Sequence, residues 1–232
     1  MKPIICAVFL SLASTLLGAE TFRTFTDSQG REMSAKVTRV SGDEVSIQRK
    51  DGLSTRVPIN VFSQADQDYI RAWESENFLK SGIVEVRFAE DEGDETKGSS
   101  GGIRSVKYDV NYEVILKNTS DRPVKDIRVE YLMLKFTDEV AAKKRSAGQQ
   151  ERQKGQLELA SLAGRTESRL ATKKFSMRET SLEPGWVWSG GDAGKARESK
   201  DKLEGIWVKV YSGDLLILET ARPESLMRKE PW

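Results

Sequence analysis

The stretch "VKYDVNYEVIL", residues 106–116, decides the fold class of this chain. It places apolar or aromatic side chains at six successive alternate positions, namely Val106, Tyr108, Val110, Tyr112, Val114 and Leu116. Because successive side chains of a β-strand point to opposite faces, this pattern predicts a strand with one buried face. A helix would instead repeat its apolar residues every three or four positions.

The sequence on the C-terminal side continues the same pattern. A turn-forming segment, "KNTSDRPVKD" (117–126), leads to alternation at Ile127, Val129, Tyr131 and Met133. Residues 131–136 are apolar on both faces, which indicates a strand that is covered on both sides. Four further strands are predicted, at residues 157–162, 169–177, 205–211 and 215–220. Strands of this number and spacing predict an antiparallel sandwich over residues 81–222, with residues 223–232 as a C-terminal tail.

The N-terminal side predicts a separate small barrel over residues 20–80. Short β-favouring runs alternate with "DSQG" (27–30), "SGD" (41–43) and "KDG" (50–52), whose residues favour tight turns, so about five short strands are expected. Ser63 and Asp66 then have the spacing of a helix N-cap and its acidic partner. Tyr69, Ile70 and Trp73 follow at helical spacing, which predicts a short helix that fades after Trp73.

These residues carry a resemblance to a known family. The ordered positions are Phe25-Thr26-Asp27-Ser28, Gly30-Arg31, Ala35, Val45, Ile47, Asp51-Gly52, Val57-Pro58, Phe62-Ser63, Asp66-Gln67 and Tyr69-Ile70. Over residues 22–75 this pattern resembles the Sla homology domain, an SH3-like barrel. The family most often has Trp where this chain has Phe25, and Leu where it has Phe62. The resemblance implies binding of an extended peptide, or a barrel that serves only as a structural or docking module.

A second resemblance covers mainly residues 106–136. There, a strand ends in the turn Asn118-Thr119-Ser120 and the next strand begins after Pro123, which is similar to immunoglobulin-like or fibronectin-like modules of exported bacterial proteins. This implies an immunoglobulin-like sandwich over about residues 82–232. The same three residues match the pattern of a glycosylation acceptor, although their place in a turn accounts for them without that role.

The first residues predict a signal peptide over residues 1–19. Lys2 precedes an apolar run that ends before Gly18-Ala19, and the run is shorter than the roughly 20 residues that span a bilayer. The prediction is export to the periplasm or outside the cell, and the alternative is an uncleaved signal that holds the chain at a membrane.

Composition disfavours several classes of function. The chain has no histidine, and its single cysteine, Cys6, lies inside the predicted signal, so triad chemistry and thiol chemistry have no residues to use. We therefore predict a non-enzymatic protein without catalytic residues, cofactor or metal. Removing Lys2 with the signal leaves 37 − 1 = 36 basic against 36 acidic side chains. This balance disfavours nucleic acid as a partner.

The candidate ligand contacts are aromatic. In the barrel, Phe25, Tyr69 and Trp73 are the candidate anchors for a peptide, although aromatic residues at such spacing more often pack in a core. In the sandwich, Trp186 and Trp188 lie two residues apart, and an extended segment would turn them to the same side. The sequence thus predicts a protein that binds a peptide or protein segment through the barrel. The alternative is a carbohydrate-binding or structural cell-envelope module that uses the sandwich.

Overall fold

The computed structural model describes residues 22–142, 148–191 and 194–232. The described chain is mostly β, with antiparallel sheets and a half-barrel, as the sequence predicts. It divides into two compact units, the first ending at Ser75 and the second beginning at Glu76. The predicted signal peptide, residues 1–19 with Cys6, lies outside the described residues. Within the described ranges, no helix has the length and apolar character of a membrane span.

The first unit is a four-stranded antiparallel meander. It consists of β1 (Arg23–Thr26), β2 (Glu32–Ser41), β3 (Glu44–Arg49) and β4 (Ser54–Pro58), which pair in that order, followed by a 3-10 helix, Ile59–Val61. A fifth strand was expected, but a single bridge between Asp27 and Phe62 takes its place. The reason is local, because the helix that follows begins at Gln64 and leaves no further residues for pairing.

Helix α1 (Gln64–Lys80) is longer than the short helix that the sequence predicts. Its last turn contains Leu79, which packs against the core of the second unit, and an i,i+4 ion pair joins Glu76 to Lys80 at 2.5 Å. The apolar and charged contacts both favour continuation of the helix beyond Trp73. Gly82, with φ +76°, then provides the left-handed residue that commonly follows a helix end.

The second unit is a sandwich-like pair of antiparallel sheets. Its strands are β5 (Val84–Glu92), β6 (Thr96–Ser100), β7 (Ile103–Asn118), β8 (Val124–Asp138), β9 (Gly148–Leu162), β10 (Glu167–Ala171), β11 (Phe175–Leu182), β12 (Glu198–Lys200), β13 (Lys202–Ser212) and β14 (Leu215–Arg222). One sheet has β7 at its centre, with β5 and β6 along one edge and β10 and β11 along the other, and β12 beyond β11. The other sheet has the order β14-β13-β8-β9.

The alternating residues of β7 and β8 face each other in the core between the sheets. The buried members from β7 are Val110, Tyr112, Val114 and Leu116, and those from β8 are Val124, Ile127, Val129, Tyr131 and Met133. The turn between these strands is tied down by Asn118. Its buried amide donates to the carbonyls of Arg122 at 2.8 Å and of Leu162 at 3.2 Å, and its Oδ1 accepts the Ser120 N–H at 2.9 Å. This burial leaves the Asn118 side chain inaccessible for glycosylation in the folded chain.

Strand β8 is covered on both faces, as residues 131–136 predict. Leu132 and Leu134 point away from the central core and pack with Trp207 and Leu226 in a second cluster. The predicted tail is part of this cover, because it folds into α2 (Leu226–Lys229) and places Trp232 against the Trp207 ring at 4.8 Å between centroids. Burial of the outer leucines therefore depends on the last residues of the chain.

Candidate functional site

The barrel aromatics lie in or against its core. Phe25 is 1% exposed, and its ring packs 5.4 Å from Phe62 and 5.8 Å from Tyr69 between centroids. Tyr69 and Trp73 are half-buried and pack against the same cluster. Phe25 therefore cannot contact a peptide unless the barrel opens, because its strand position directs it inward.

A buried ionic contact closes the same side of the barrel. Asp66 is 2% exposed and accepts hydrogen bonds from Arg23 Nη2 at 2.6 Å, the Thr26 N–H at 2.7 Å and Ser63 Oγ at 2.9 Å. The Arg23 guanidinium also stacks on the Tyr69 ring, 3.9 Å from its centroid. The predicted N-cap pairing of Ser63 with Asp66 is confirmed. The structure adds that the carboxylate also binds β1 and that an arginine covers one face of the tyrosine.

An open depression of about 360 Å³ beside α1 is the other candidate surface of the barrel. Its polar side chains pair with their neighbours: Gln64 donates to Asp68 at 2.8 Å, and Arg71 donates to Asp43 at 2.9 Å. Its lining includes none of the three predicted peptide anchors. The depression thus offers a peptide no exposed aromatic anchor, and the charged side chains Asp43, Asp68 and Arg71 in its lining are already paired.

The segment that carries Trp186 and Trp188 is a loop with two tight turns. After β11, the Trp186 N–H donates to the Glu183 carbonyl at 3.2 Å, with Pro184 and Gly185 between them. Proline followed by a glycine at φ +83° is the pattern of a type II turn. A second turn follows directly, in which the Gly191 N–H donates to the Trp188 carbonyl at 2.9 Å. Trp186 and Trp188 therefore lie in a loop between two turns, outside any strand.

The two indoles have different environments. Trp188 is half-buried, and its Nε1 donates to the Ala196 carbonyl at 3.0 Å, which makes it part of the loop's own packing. Trp186 is 51% exposed. Its backbone N–H and C=O are both bonded, yet its indole N–H has no partner among the described residues. Only Trp186 thus presents both a ring surface and a donor to solvent.

Trp186 rests on a glycine of the neighbouring hairpin. A Cβ atom at Gly102 would lie 2.1 Å from Trp186 Cδ2, so the indole occupies the space where any side chain would begin. Gly101 and Gly102, at φ +58° and +76°, form the two-residue turn between β6 and β7. Positive φ at both central residues is characteristic of a type I′ hairpin turn. A glycine is therefore needed at position 102 for two reasons: the backbone has a positive φ there, and the Trp186 indole occupies the space that a side chain would need.

Polar contacts hold the loop onto this hairpin. The Glu183 N–H donates to the Gly102 carbonyl at 2.8 Å, and Arg197 Nη2 donates to the carbonyls of Trp186 at 3.1 Å and Glu183 at 3.3 Å. The Glu183 carboxylate accepts hydrogen bonds from Ser99 Oγ at 2.8 Å and Arg104 Nε at 3.3 Å. The Ser99 hydrogen bond and then Arg104 hold the pKa of Glu183 below its usual range. The platform, defined here as Trp186 on Gly102, is thus fixed at its base and open at its outer face.

Sequence reasoning identified Trp186 but missed the residues that position it. The stretch from Glu90 to Gly102 is acidic and rich in Gly and Ser, a composition that predicts a solvated hairpin loop. Most of it is strand, and its end forms the seat of Trp186. The adjacent glycines "GG" (101–102) were a visible turn signal. Nothing in the sequence linked that turn to a tryptophan 84 positions later.

Comparisons with known proteins leave the family of this chain open. No protein-family model and no curated protein sequence matches it. Among solved structures, the E. coli curli protein CsgC is similar, with 19% identity and a TM-score of 0.25, over 60% of this chain and 99% of that chain. A likeness at this level carries no argument about fold or function.

Proposed function

We propose that this chain is a non-enzymatic binding protein and that the platform, Trp186 on Gly102, is a carbohydrate site. One observation carries the proposal: a tryptophan that is half exposed is nevertheless held in place, with its ring on a glycine and its backbone fixed by Arg197. An exposed tryptophan kept rigid loses little conformational freedom when a ligand binds. That is the property expected of a binding platform.

The chemistry of the platform suits a sugar ring. One face of a pyranose carries C–H groups that stack on an aromatic face, while its rim carries hydroxyls that need hydrogen-bond partners. The exposed indole N–H supplies a donor beside the ring. Ionised Glu183 and Arg104 add charged groups at the base of the platform, where hydrogen bonds to charged groups are stronger than neutral ones.

Peptide binding by the barrel remains a hypothesis with less support. Its basis is the resemblance to the Sla homology domain, and one of its three candidate anchors, Phe25, is buried. The charged contact between Arg23 and Asp66 accounts for the order of this side of the barrel without a ligand. The barrel is better explained as a structural or docking module.

The apolar run near Lys2 supports the further proposal that the chain is exported. Export would bring the platform to the glycans of the cell envelope or of the cell's surroundings. A protein that binds an envelope glycan would be both a carbohydrate-binding module and a component of the cell envelope. These two roles are the alternative to peptide binding that the sequence leaves open.

The test is a glycan array followed by calorimetry on the best hit. We expect Trp186→Ala to lower affinity about 30-fold, the effect of removing a central aromatic contact. Trp186→Phe retains a ring but loses the donor, so an intermediate loss is expected. Leu53→Ala is the matched control, since Leu53 is an exposed apolar residue of the first unit. Glycan binding that is unchanged in Trp186→Ala would refute the proposal.

A further inference from the structure

Arg104 is joined to the platform through Glu183. It follows Gly102 by two residues in β7, and its Nε donates to Glu183 Oε1 at 3.3 Å. Glu183 in turn begins the turn that ends at Trp186, and its N–H bonds to the Gly102 carbonyl. Each member of this series contacts the next, so Arg104 is connected to the platform through Glu183.

The outer end of the Arg104 guanidinium is uncommitted. Its side chain is 64% exposed, and among the described residues its polar contacts are those of Nε with Glu183. Nη1 and Nη2 therefore remain available to solvent. Two parallel N–H groups of a guanidinium match the two oxygens of a carboxylate, and such bidentate pairs are directional as well as strong.

Glu183 fixes the direction in which this group points. The Glu183 carboxylate accepts a hydrogen bond from Arg104 Nε, and Ser99 first and then Arg104 lower the pKa of Glu183. A second carboxylate can approach only at the terminal nitrogens, away from Glu183. The cation is thus oriented before any ligand arrives, which lowers the entropy cost of binding.

We infer that the ligand of the platform is a pyranose that carries a carboxylate, a sugar of the uronate class. The ring stacks on Trp186, and the carboxylate pairs with Nη1 and Nη2 of Arg104. This inference rests on the proposed function, because it assigns the chemistry of the sugar that the platform binds. A neutral sugar would leave the guanidinium without a ligand contact.

The experiment compares two forms of the same sugar on the full chain. Trisaccharides of galacturonate, glucuronate and mannuronate are titrated as acids and as methyl esters, which keep the ring and remove the charge. We expect the acid form of one sugar to bind about tenfold more tightly than its ester, as a hydrogen-bonded charge contributes. Added salt should reduce this preference.

Variants separate the two proposals. We expect Arg104→Gln to abolish the preference for the acid while ester binding remains, and Trp186→Ala to abolish binding of both forms. Arg169→Gln is the control, because Arg169 is similarly exposed and also paired with a glutamate, Glu113. Equal binding of acid and ester that is lost in Trp186→Ala would overturn only the uronate inference. Binding of neither form of any of the three sugars would overturn the uronate inference, and the absence of any Trp186-dependent binding on the glycan array would overturn both proposals.

Discussion

Substitution of Gly102 by alanine tests whether the glycine is the seat of Trp186. The new Cβ would lie 2.1 Å from Cδ2 and 2.5 Å from Cγ of the indole, closer than non-bonded atoms tolerate. The Glu183 N–H bonds to the Gly102 carbonyl and holds the hairpin backbone, so the overlap must be relieved by movement of the indole. We therefore expect the indole to leave its position.

The loss of stability in Gly102→Ala has two sources: the left-handed backbone conformation at position 102 and the covered part of the Trp186 ring. A left-handed alanine costs about 1–2 kcal/mol relative to glycine. The covered half of the indole, on the order of 100 Å², contributes a further ~2.5 kcal/mol that is lost when the ring is displaced. Gly101 provides the matched control, since its φ of +58° imposes the same strain while nothing lies within 4 Å of its Cβ position.

The assay is chemical denaturation of Gly101→Ala and Gly102→Ala, monitored by far-UV circular dichroism, with acrylamide quenching of tryptophan fluorescence in the native state. We expect Gly101→Ala to lose about 1–2 kcal/mol with unchanged quenching. Gly102→Ala should lose about 2 kcal/mol more and show increased quenching. Equal stability and equal quenching of the two variants would refute the claim that Trp186 is seated on Gly102.

Three further predictions concern buried polar groups. Asp66→Ala removes the acceptor of three hydrogen bonds. We expect it to destabilise the first unit by about 3 kcal/mol in urea denaturation. A loss below ~1 kcal/mol would show that Arg23 and the Thr26 N–H find other partners. Asn118→Ala leaves the carbonyls of a buried turn unpaired, so the free energy of unfolding should fall by about 2–3 kcal/mol. Asn60→Ala is the control: Asn60 is exposed, and its replacement should change stability by less than ~0.5 kcal/mol. Burial and then the charge of Glu90 raise the pKa of Tyr112. Its phenol therefore stays protonated in the folded chain at a pH near 10, where the same tyrosine ionises in the unfolded chain. The free energy of unfolding should consequently fall as the pH rises above about 10, and Tyr112→Phe should make that fall less steep. Identical pH profiles of stability for the two proteins would contradict the raised pKa of Tyr112.

The strands were the most predictable part of the chain. Alternation in β7 and β8 is a local property, since each residue's face depends only on its position in the strand. The run from Tyr131 to Phe136 even predicted cover on both sides, which the second cluster supplies. Boundaries were less predictable: α1 continues to Lys80 because Leu79 gains tertiary contacts that propensity alone does not include.

The candidate site was predictable only in part. An exposed platform could be guessed from Trp186, but its seat could not, because Gly102 and Trp186 meet through chain topology and not through any local pattern. The same applies to Asp66. Its spacing from Ser63 predicted a helix cap, while its contact with Arg23 across 43 positions depends on how α1 packs against β1. Contacts of this kind depend on register and closure, which single-residue preferences do not encode.

Trp186 has a different environment from the other tryptophans of the second unit. The Trp188 indole N–H donates to the Ala196 carbonyl, and that of Trp207 donates to Glu219. The Trp232 ring packs on Trp207 and lies beneath Lys209. Each of these rings contributes to folding through its contacts. Trp186 lies on Gly102, is 51% exposed and gives its indole N–H no partner among the described residues. A smaller residue at this position would expose less apolar area. The proposed glycan site accounts for this exposure, since a bound sugar ring would cover the indole.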